Sequence, residues 1–487
     1  MHALPADFYA RWLWENCRPP LACDGQGAPP ERWLQQIWRH QRLRRGELRG
    51  LDGRTVRVLH PGFWNRGPGP DFNRAVIQFG DEPPVSGDVE IDVGVGGWRG
   101  HGHDRNARYA RVVLHVVWES PARDHHPPVL PLAPFLEAPL AELAPWLESD
   151  AAPELPVETL GQCCAPLASL PVVRLIELLQ QAARVRLERK AGEFARRARL
   201  AGWEAALWEG LFTALGYRHN TWPMRRLAEV LGEAKRLGAD EPTHWEARLL
   251  GLGGLLPAQL PAGEGAAHVR RLWEIWWRER DAWAADLLPA TLWQLGGLRP
   301  ANHPQRRLAL AARWLADGTL PGILVRWLEN AAAEHFVEAL AELLTPAPEA
   351  TGIWNWHWTL RSPRLPRPQP LLGLPRLTDL AQNVVLPWLH ARANAGGNVA
   401  LLSEIARRHF AWPAGEDNAV LKLARSRLFG ATRPRLPRTA AVQQGLLQIT
   451  RDFCDRADAL CTGCRFPELV RAVPAETPPA GTSEGLR

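Results

Sequence analysis

The stretch PGFWNRGPGPDFNRAVIQFGDEPPVSGDVEIDVGVGGWRGHGHDRNARYARVVLHVVW, residues 61–118, decides how this chain reads. Within it AVIQFG (75–80), DVEIDV (88–93) and RVVLHVVW (111–118) are short, rich in β-branched residues and separated by Gly and Pro, which is the signature of strands. TVRVLHPG (55–62), just upstream, has the same character. Residues 7–17 and 31–45 carry helical spacing instead, with Trp33, Ile37 and Trp38 on one face of the second segment. Helices, strands, a connecting segment and an apolar strand, in that order, predict a compact α/β domain ending near residue 120.

The same stretch holds the chemistry. Asp71 follows a Gly/Pro turn and leads into a strand, while Glu90 and Asp92 alternate with Val89 and Ile91 on the next. Strand alternation places Glu90 and Asp92 on one face and their apolar neighbours on the other. If the two strands pair, Asp71 joins them, and three carboxylates then offer oxygen donors suited to Mg²⁺ or Mn²⁺. His101 and His103 follow Trp98 in a Gly-rich connection, and His115 interrupts an apolar strand, where a buried ring needs a partner. These histidines read either as a general base or extra metal ligands beside the acids, or as hydrogen-bonded structural residues, the latter above all for His115. Tyr109, one of three tyrosines, reads as a packing residue more readily than as a phosphate or proton contact.

This ordered set resembles the PD-(D/E)XK phosphodiesterase superfamily, which includes many restriction and repair nucleases. The matching positions are Pro70-Asp71 and Glu90-Ile91-Asp92, with Glu31 as the helix acid. The resemblance implies a restriction-endonuclease-like fold, a small mixed sheet flanked by helices. It also implies cations that activate water and stabilise the developing phosphorane charge; His103, from the reading of the histidines above, joins the acids as a catalytic candidate. Asp92 stands where that superfamily usually has lysine, and no lysine occurs before Lys190, so the resemblance implies a site whose catalysis is altered or degenerate. The chain also resembles, over most of its length, a bacterial family catalogued as domain of unknown function 2851. That likeness runs through Glu31 with LQQIW, GPDF (69–72), GDVEID, Trp98 with HGHD, and LHVVW. It continues through LGYRHN (215–220), RPANHPQRR (299–307), EDN (416–418) and the cysteine tail. That family usually carries His at the position of Asp92.

Beyond the strands the pattern changes. ESPARDHHPPVLPLAP (119–134) is rich in Pro and polar residues and reads as a boundary loop. Nearly everything past residue 165 has helical spacing, as in 172–197, 203–217, 306–318 and 441–454. The expected layout is therefore an α/β domain over 1–125, a linker over 126–164, a large all-α domain over 165–467 and a disordered tail over 468–487. No fixed-period repeat supports a solenoid. In the helical part, Cys454-x6-Cys461-x2-Cys464 reads either as reduced, partly buried thiols or as three soft ligands for a zinc or iron–sulfur site. Cys17, Cys23, Cys163, Cys164 and His409 are candidates for a fourth. Arg299, Asn302, Pro304 and Arg307 form a polar entry to a helix: Asn302 reads as its N-cap with the arginines solvated or bridging helices, and the alternative makes Arg299 and Arg307 nucleic-acid contacts. The aromatic run WNWHW (354–358) reads as a packed loop, with base stacking as the alternative.

Composition bounds these readings. A chain of 487 residues with 46% hydrophobic content is long enough for several domains with real cores. Its opening residues lack the pattern of a signal peptide, and no stretch approaches the roughly 20 apolar residues of a membrane span, so a soluble, cytoplasmic protein without a membrane partner is expected. The net charge of +6 is spread along the chain, and the basic residues other than Lys190, Lys235 and Lys422 are arginines, whose planar fork suits phosphate. The expected function is a metal-dependent nuclease acting on nucleic acid, DNA rather than RNA. The competitors are a non-catalytic nucleic-acid-binding scaffold and a small-molecule metallohydrolase that uses His101 and His103.

Overall fold

The computed structural model describes residues 4–17, 28–65, 68–119, 127–147, 160–217, 219–233, 241–261, 265–330, 334–346, 352–432, 434–454 and 460–474. Six strands form one mixed sheet: β1 (Val56–His60), β2 (Phe63–Trp64), β3 (Phe72–Phe79), β4 (Val85–Ile91), β5 (Val112–Val117) and β6 (Val129–Pro131). The order is β1-β3-β4-β5-β6, with β2 pairing the first residues of β3. β1, β3 and β4 run as an antiparallel meander, and β5 and β6 then add in parallel. β4 is buried from Gly87 to Ile91, and β5 is buried at every position but Val113, as expected of central strands covered on both faces. Residues 129–131, expected as linker, are instead the edge strand. Two flanking prolines made the segment look like a loop, but an edge strand tolerates Pro131 because it lacks a donor on only one side.

A bulge interrupts β3 directly after Asp71. The β3–β4 register shifts between Phe72 and Ala75, and Arg74 takes a left-handed φ of 57°. Its freed N–H donates to Asp88 Oδ1 at 3.0 Å, so a buried acid satisfies the backbone group that the ladder gives up. Bulges of this kind re-aim neighbouring side chains and concentrate near functional sites.

Helix α1 (Phe8–Asn16) precedes the sheet, and α2 (Glu31–His40) packs on β4. The parallel crossover from β4 to β5 contains the short α3 (Gly96–Gly100). The remainder is helical, from Leu140–Leu147 through the 30-residue helix Val172–Ala201 to Phe466–Arg471. Many tryptophans are core residues whose indole N–H finds a backbone carbonyl: Trp222 donates to Leu59, Trp293 to Gly253 and Trp314 to Leu344. Among the described residues no single helix is long and apolar enough to cross a membrane.

The chain separates into two compact units that do not follow sequence order. One gathers residues 28–142 and 191–405, so the sheet shares a unit with much of the helical part. The other gathers 1–27, 143–190 and 406–487. The expected division at residue 125 differs at both ends. Phe8, Tyr9 and Trp12 of α1 pack against Leu178, Phe453 and Phe466, far along the chain. Tyr9 also donates its hydroxyl to Asp452 Oδ2 at 2.9 Å. An apolar helix face announces itself in sequence, but its partner does not. Residues 468–471, expected as tail, complete the helix Phe466–Arg471; 475–487 lie outside the described residues.

Candidate functional site

The site is built where α2 meets the ends of β3 and β4. Glu31 occupies the first turn of α2, at the positive end of the helix. Gln35 lies one turn on, on the same face, and its Nε2 donates to Glu31 Oε1 at 3.1 Å and to Asp71 Oδ1 at 2.9 Å. Asp71 is held by a closed loop: Asn65 N–H donates to the Asp71 carbonyl at 2.7 Å, and Asn65 Nδ2 to the Pro70 carbonyl at 2.9 Å. Gly69, at φ 118°, turns the chain where a side chain would be strained.

Asp71 and Glu90 then bind each other's strand. The Asp71 N–H donates to Glu90 Oε2 at 3.1 Å, and the Ile91 N–H donates to Asp71 Oδ2 at 3.0 Å. Asp92 follows β4, its own N–H donating to the Val116 carbonyl at 3.0 Å. Its carboxylate lies between two imidazoles, with His115 Nε2 at 2.9 Å from Oδ2 and His101 Nδ1 at 3.2 Å from Oδ1. Gly97 of α3 makes this approach possible, because a Cβ there would fall 2.4 Å from Asp92 Cγ. His103 closes the set: its Nε2 is 3.2 Å from Glu90 Oε1. Asp92, His101 and His103 each offer a ligand atom within 4.8 Å of the others. An aromatic wall backs the histidines. Tyr109 stacks on His103 at 4.0 Å between centroids, and Trp98 packs against His103 and His115 at 5.6 and 5.4 Å.

Crowding buried acids raises the cost of charging them. Burial lifts Asp71 to about 7, against the opposing Ile91 N–H and with help from Glu31 and Asp92. Glu90 rises to about 9, first through burial and then through Asp71, with Asp92 and Glu31 adding to it. Glu31 is also raised, by burial and then by Asp92. His103 is lowered by burial, with Asp92 acting in the opposite direction. Near pH 7, in the absence of a cation, the pair Asp71–Glu90 therefore retains about one to two protons.

The sequence model of a family described as "Protein of unknown function (DUF2851)" matches residues 31–417. The chain belongs to the DUF2851 family. No curated protein and no solved structure matches it. The DUF2851 match begins at Glu31 and spans every carboxylate and histidine just described, but it stops before Cys454.

The structure thus brings together Asp71, Glu90, Asp92, His101, His103 and His115, with Glu31 reached through Gln35. Gln35 and Gly97 were not singled out in sequence. Gln35 had a usable signal, its position four residues after Glu31; Gly97, one of many glycines, had none. Arg307, a candidate nucleic-acid contact in sequence, has its guanidinium engaged inside the protein. It is buried, donating to the Leu371 carbonyl at 2.7 Å and Asn302 Oδ1 at 2.6 Å, because helix packing took the guanidinium inward. Arg299 is exposed. The N-cap of the helix Pro304–Asp317 is His303 and not Asn302, with the imidazole accepting from the Gln305 N–H at 3.3 Å. WNWHW is packed: Trp354 is buried and donates to Glu246 at 2.9 Å. Cys454 and Cys461 are buried and Cys464 is partly exposed. Cys163 is the candidate fourth thiol that they act on. It is raised by burial and then by Cys454, Cys464 and Cys461. Cys23 lies outside the described residues.

Proposed function

We propose that this protein is a divalent-cation-dependent phosphodiesterase acting on nucleic acid, with its centre at Asp71, Glu90 and Asp92. The observation that carries the reading is the pair of backbone bonds that ties the two acids together, Asp71 N–H to Glu90 Oε2 and Ile91 N–H to Asp71 Oδ2, with Asp92, His101 and His103 converging beside them. An antiparallel meander followed by a parallel crossover strand, with an acid-bearing helix ahead of it, supports the restriction-endonuclease-like reading of the sheet. Among the described residues the ligand atoms that lie within 4.8 Å of one another are those of Asp92, His101 and His103, one carboxylate and two imidazoles, and the carboxylates of Asp71 and Glu90, raised first by burial and then by one another and their acidic neighbours, stand beside them. Mg²⁺ or Mn²⁺ held by Asp71, Glu90 and Asp92 would supply Lewis acidity toward a phosphodiester and its attacking water.

The remaining chemistry belongs to the chain. His115 and His101 fix the Asp92 carboxylate from two sides. His101 turns Nδ1 toward Asp92 Oδ1 at 3.2 Å, which leaves its Nε2 on the other side of the ring as the nitrogen that would address water. Its side chain is 58% exposed, so water and substrate reach it. This pair takes the place of the lysine that PD-(D/E)XK enzymes present at position 92. The two histidines in the converging set favour one second reading, a small-molecule metallohydrolase, and substrate choice separates the two. The assay compares wild type, Glu90→Ala and Asp92→Lys on single- and double-stranded DNA and RNA, with Mn²⁺ and with chelator. Wild type is expected to cleave DNA weakly and only with cation, and both variants to lose at least a hundredfold in rate. Absence of both cleavage and salt-sensitive binding on all four substrates refutes the nucleic-acid reading and leaves the small-molecule one.

A further inference from the structure

The bulge beside Asp71 also decides where an arginine goes. In a regular strand successive side chains alternate, so Arg74, three residues after Asp71, would point to the opposite face, the one that carries the buried Phe72. It does not. The β3–β4 register shifts between Phe72 and Ala75, and the Arg74 guanidinium lies over the Phe63 ring, with Cζ 4.6 Å from the centroid. Phe63 pairs with Asn73 and Trp64 with Phe72, and the ladder runs on to the Asn65 N–H that donates to the Asp71 carbonyl. Phe63, two residues from Asn65, thus shares the face of Asp71. Phe72 pairs in turn with Val89, which puts Glu90 on that same face. The bulge therefore carries Arg74 from the face of Phe72 to the face of the acids.

The position is held at a cost. Arg74 has a left-handed φ of 57°, a conformation that glycine adopts freely and a residue with a Cβ does not. The strand does not call for a charged side chain there, because Asp88 receives the backbone N–H and the side chain is exposed. Among the described residues the Arg74 guanidinium has a ring beneath it and no carboxylate within ion-pair distance. By contrast Arg54, which stacks on Phe79 at the far end of β3, is paired with Asp52 and Glu82. Phe63 is itself braced by His60, at 4.7 Å between centroids. An arginine stacked on an aromatic face keeps the donors along its planar edge for an anion, and two parallel N–H groups match a phosphate.

We propose that Arg74 is a substrate-binding residue of the same centre, holding a phosphate that flanks the scissile one, so that the substrate is a polynucleotide with consecutive phosphodiesters; this rests on the phosphodiesterase reading above. Phe63 stands across from Asn73, two residues and roughly 7 Å along the sheet from Asp71. That length is within one or two nucleotide steps, at ~3.4 Å of rise each. The phosphate at the acids is then the reacting one and Arg74 receives a neighbour. Such a contact is made alike in the ground state and the transition state, so its loss falls on KM more than on kcat.

With chelator present, Arg74→Gln should weaken binding of a single-stranded oligodeoxynucleotide about tenfold and reduce the slope of log affinity against log salt by about 0.7, the share of one phosphate. Arg74→Lys keeps the charge without the fork, and should retain the slope and recover part of the affinity. With Mn²⁺, the loss in Arg74→Gln should appear chiefly as a higher KM. Arg74→Gly suits the left-handed backbone and should lose the same affinity, which keeps the test open if the glutamine variant folds poorly. Salt-dependent binding by wild type with the same affinity and slope in Arg74→Gln and Arg74→Gly overturns the role of Arg74 and leaves the phosphodiesterase reading standing. A fall in kcat at unchanged KM also overturns it. Wild type without salt-dependent binding removes the nucleic-acid reading and this inference together.

Discussion

Loading the carboxylate site with Mn²⁺ must displace protons, and the two perturbed acids determine how many. Without a cation, Asp71 sits at about 7 and Glu90 at about 9. A cation is held by ionised oxygens, so binding releases about two protons well below pH 7, about one between 7 and 9, and almost none above. The acids interact, so these values describe the pair, but the total released does not depend on which acid carries which proton. The deprotonation cost falls from about four powers of ten at pH 6 to about one at pH 8. Mn²⁺ affinity should therefore tighten roughly a thousandfold over that range, ~4 kcal/mol. Carboxylates with ordinary values near ~4 would be ionised throughout, and a histidine ligand near ~6.5 would add only about fourfold. Calorimetric titration of metal-free protein at pH 6, 7 and 8, in buffers of different ionisation enthalpy, measures both affinity and proton count. A change below about tenfold, or release of fewer than about one proton at pH 7, refutes the reasoning. The same shifts govern stability. Both folded-state values lie above the unfolded ones, so the contribution is complete below about pH 4 and is lost as pH rises through 7 and then 9. The metal-free melting temperature should decline from pH 6 to 9, and Mn²⁺ should restore it.

Two substitutions test the framework around the chemistry. Gly97→Ala would put a methyl group 2.4 Å from Asp92 Cγ, and because His115 and His101 pin that carboxylate, Mn²⁺ affinity should fall at least tenfold with the circular dichroism spectrum unchanged; wild-type affinity would show that α3 yields. Arg306 is buried, donates to the carbonyls of Trp354, His357, Gln369 and Pro370, and is lowered to about 10 by that burial. Arg306→Met should cost about 3 kcal/mol or more in urea unfolding, with nucleic-acid binding unaffected, because it strands several buried acceptors at once.

The sheet was legible because β-branched runs between Gly and Pro have few other uses, and Asp71, Glu90 and Asp92 were legible because strand pairing follows from that pattern. What escaped depended on long-range packing. Val129–Pro131 looked like a loop because proline was read without knowing that the strand lies at an edge. For Arg307 the sequence left solvated, helix-bridging and phosphate-contacting roles open, because it shows a charge but not the Leu371 carbonyl and Asn302 side chain that receive it. α1 looked like part of the first domain because adjacency in sequence was the only guide to its partner, whereas its aromatic face packs against residues beyond 450. Gly97 illustrates the limit: its importance is a 2.4 Å distance to a side chain five residues earlier, and nothing in its neighbours announces that.

The missing lysine gains a physical account from the surroundings of Asp92. If position 92 were a lysine site that had merely drifted, its environment should still suit an ammonium, with acceptors around it and room for a long side chain. The opposite is found. Asp92 is buried, two imidazole nitrogens address its two oxygens, and the helix that covers it approaches through a glycine. A lysine placed here would set a cation against His115 and leave that buried ring without its acceptor, a loss of about 1–3 kcal/mol before any effect on metal. The neighbourhood thus suits an anion, and His101 and His103 each bring a ring nitrogen within 4.8 Å of the Asp92 carboxylate. Asp92→Lys should for that reason depress activity and not rescue it, which is the outcome that separates a reorganised centre from a decayed one.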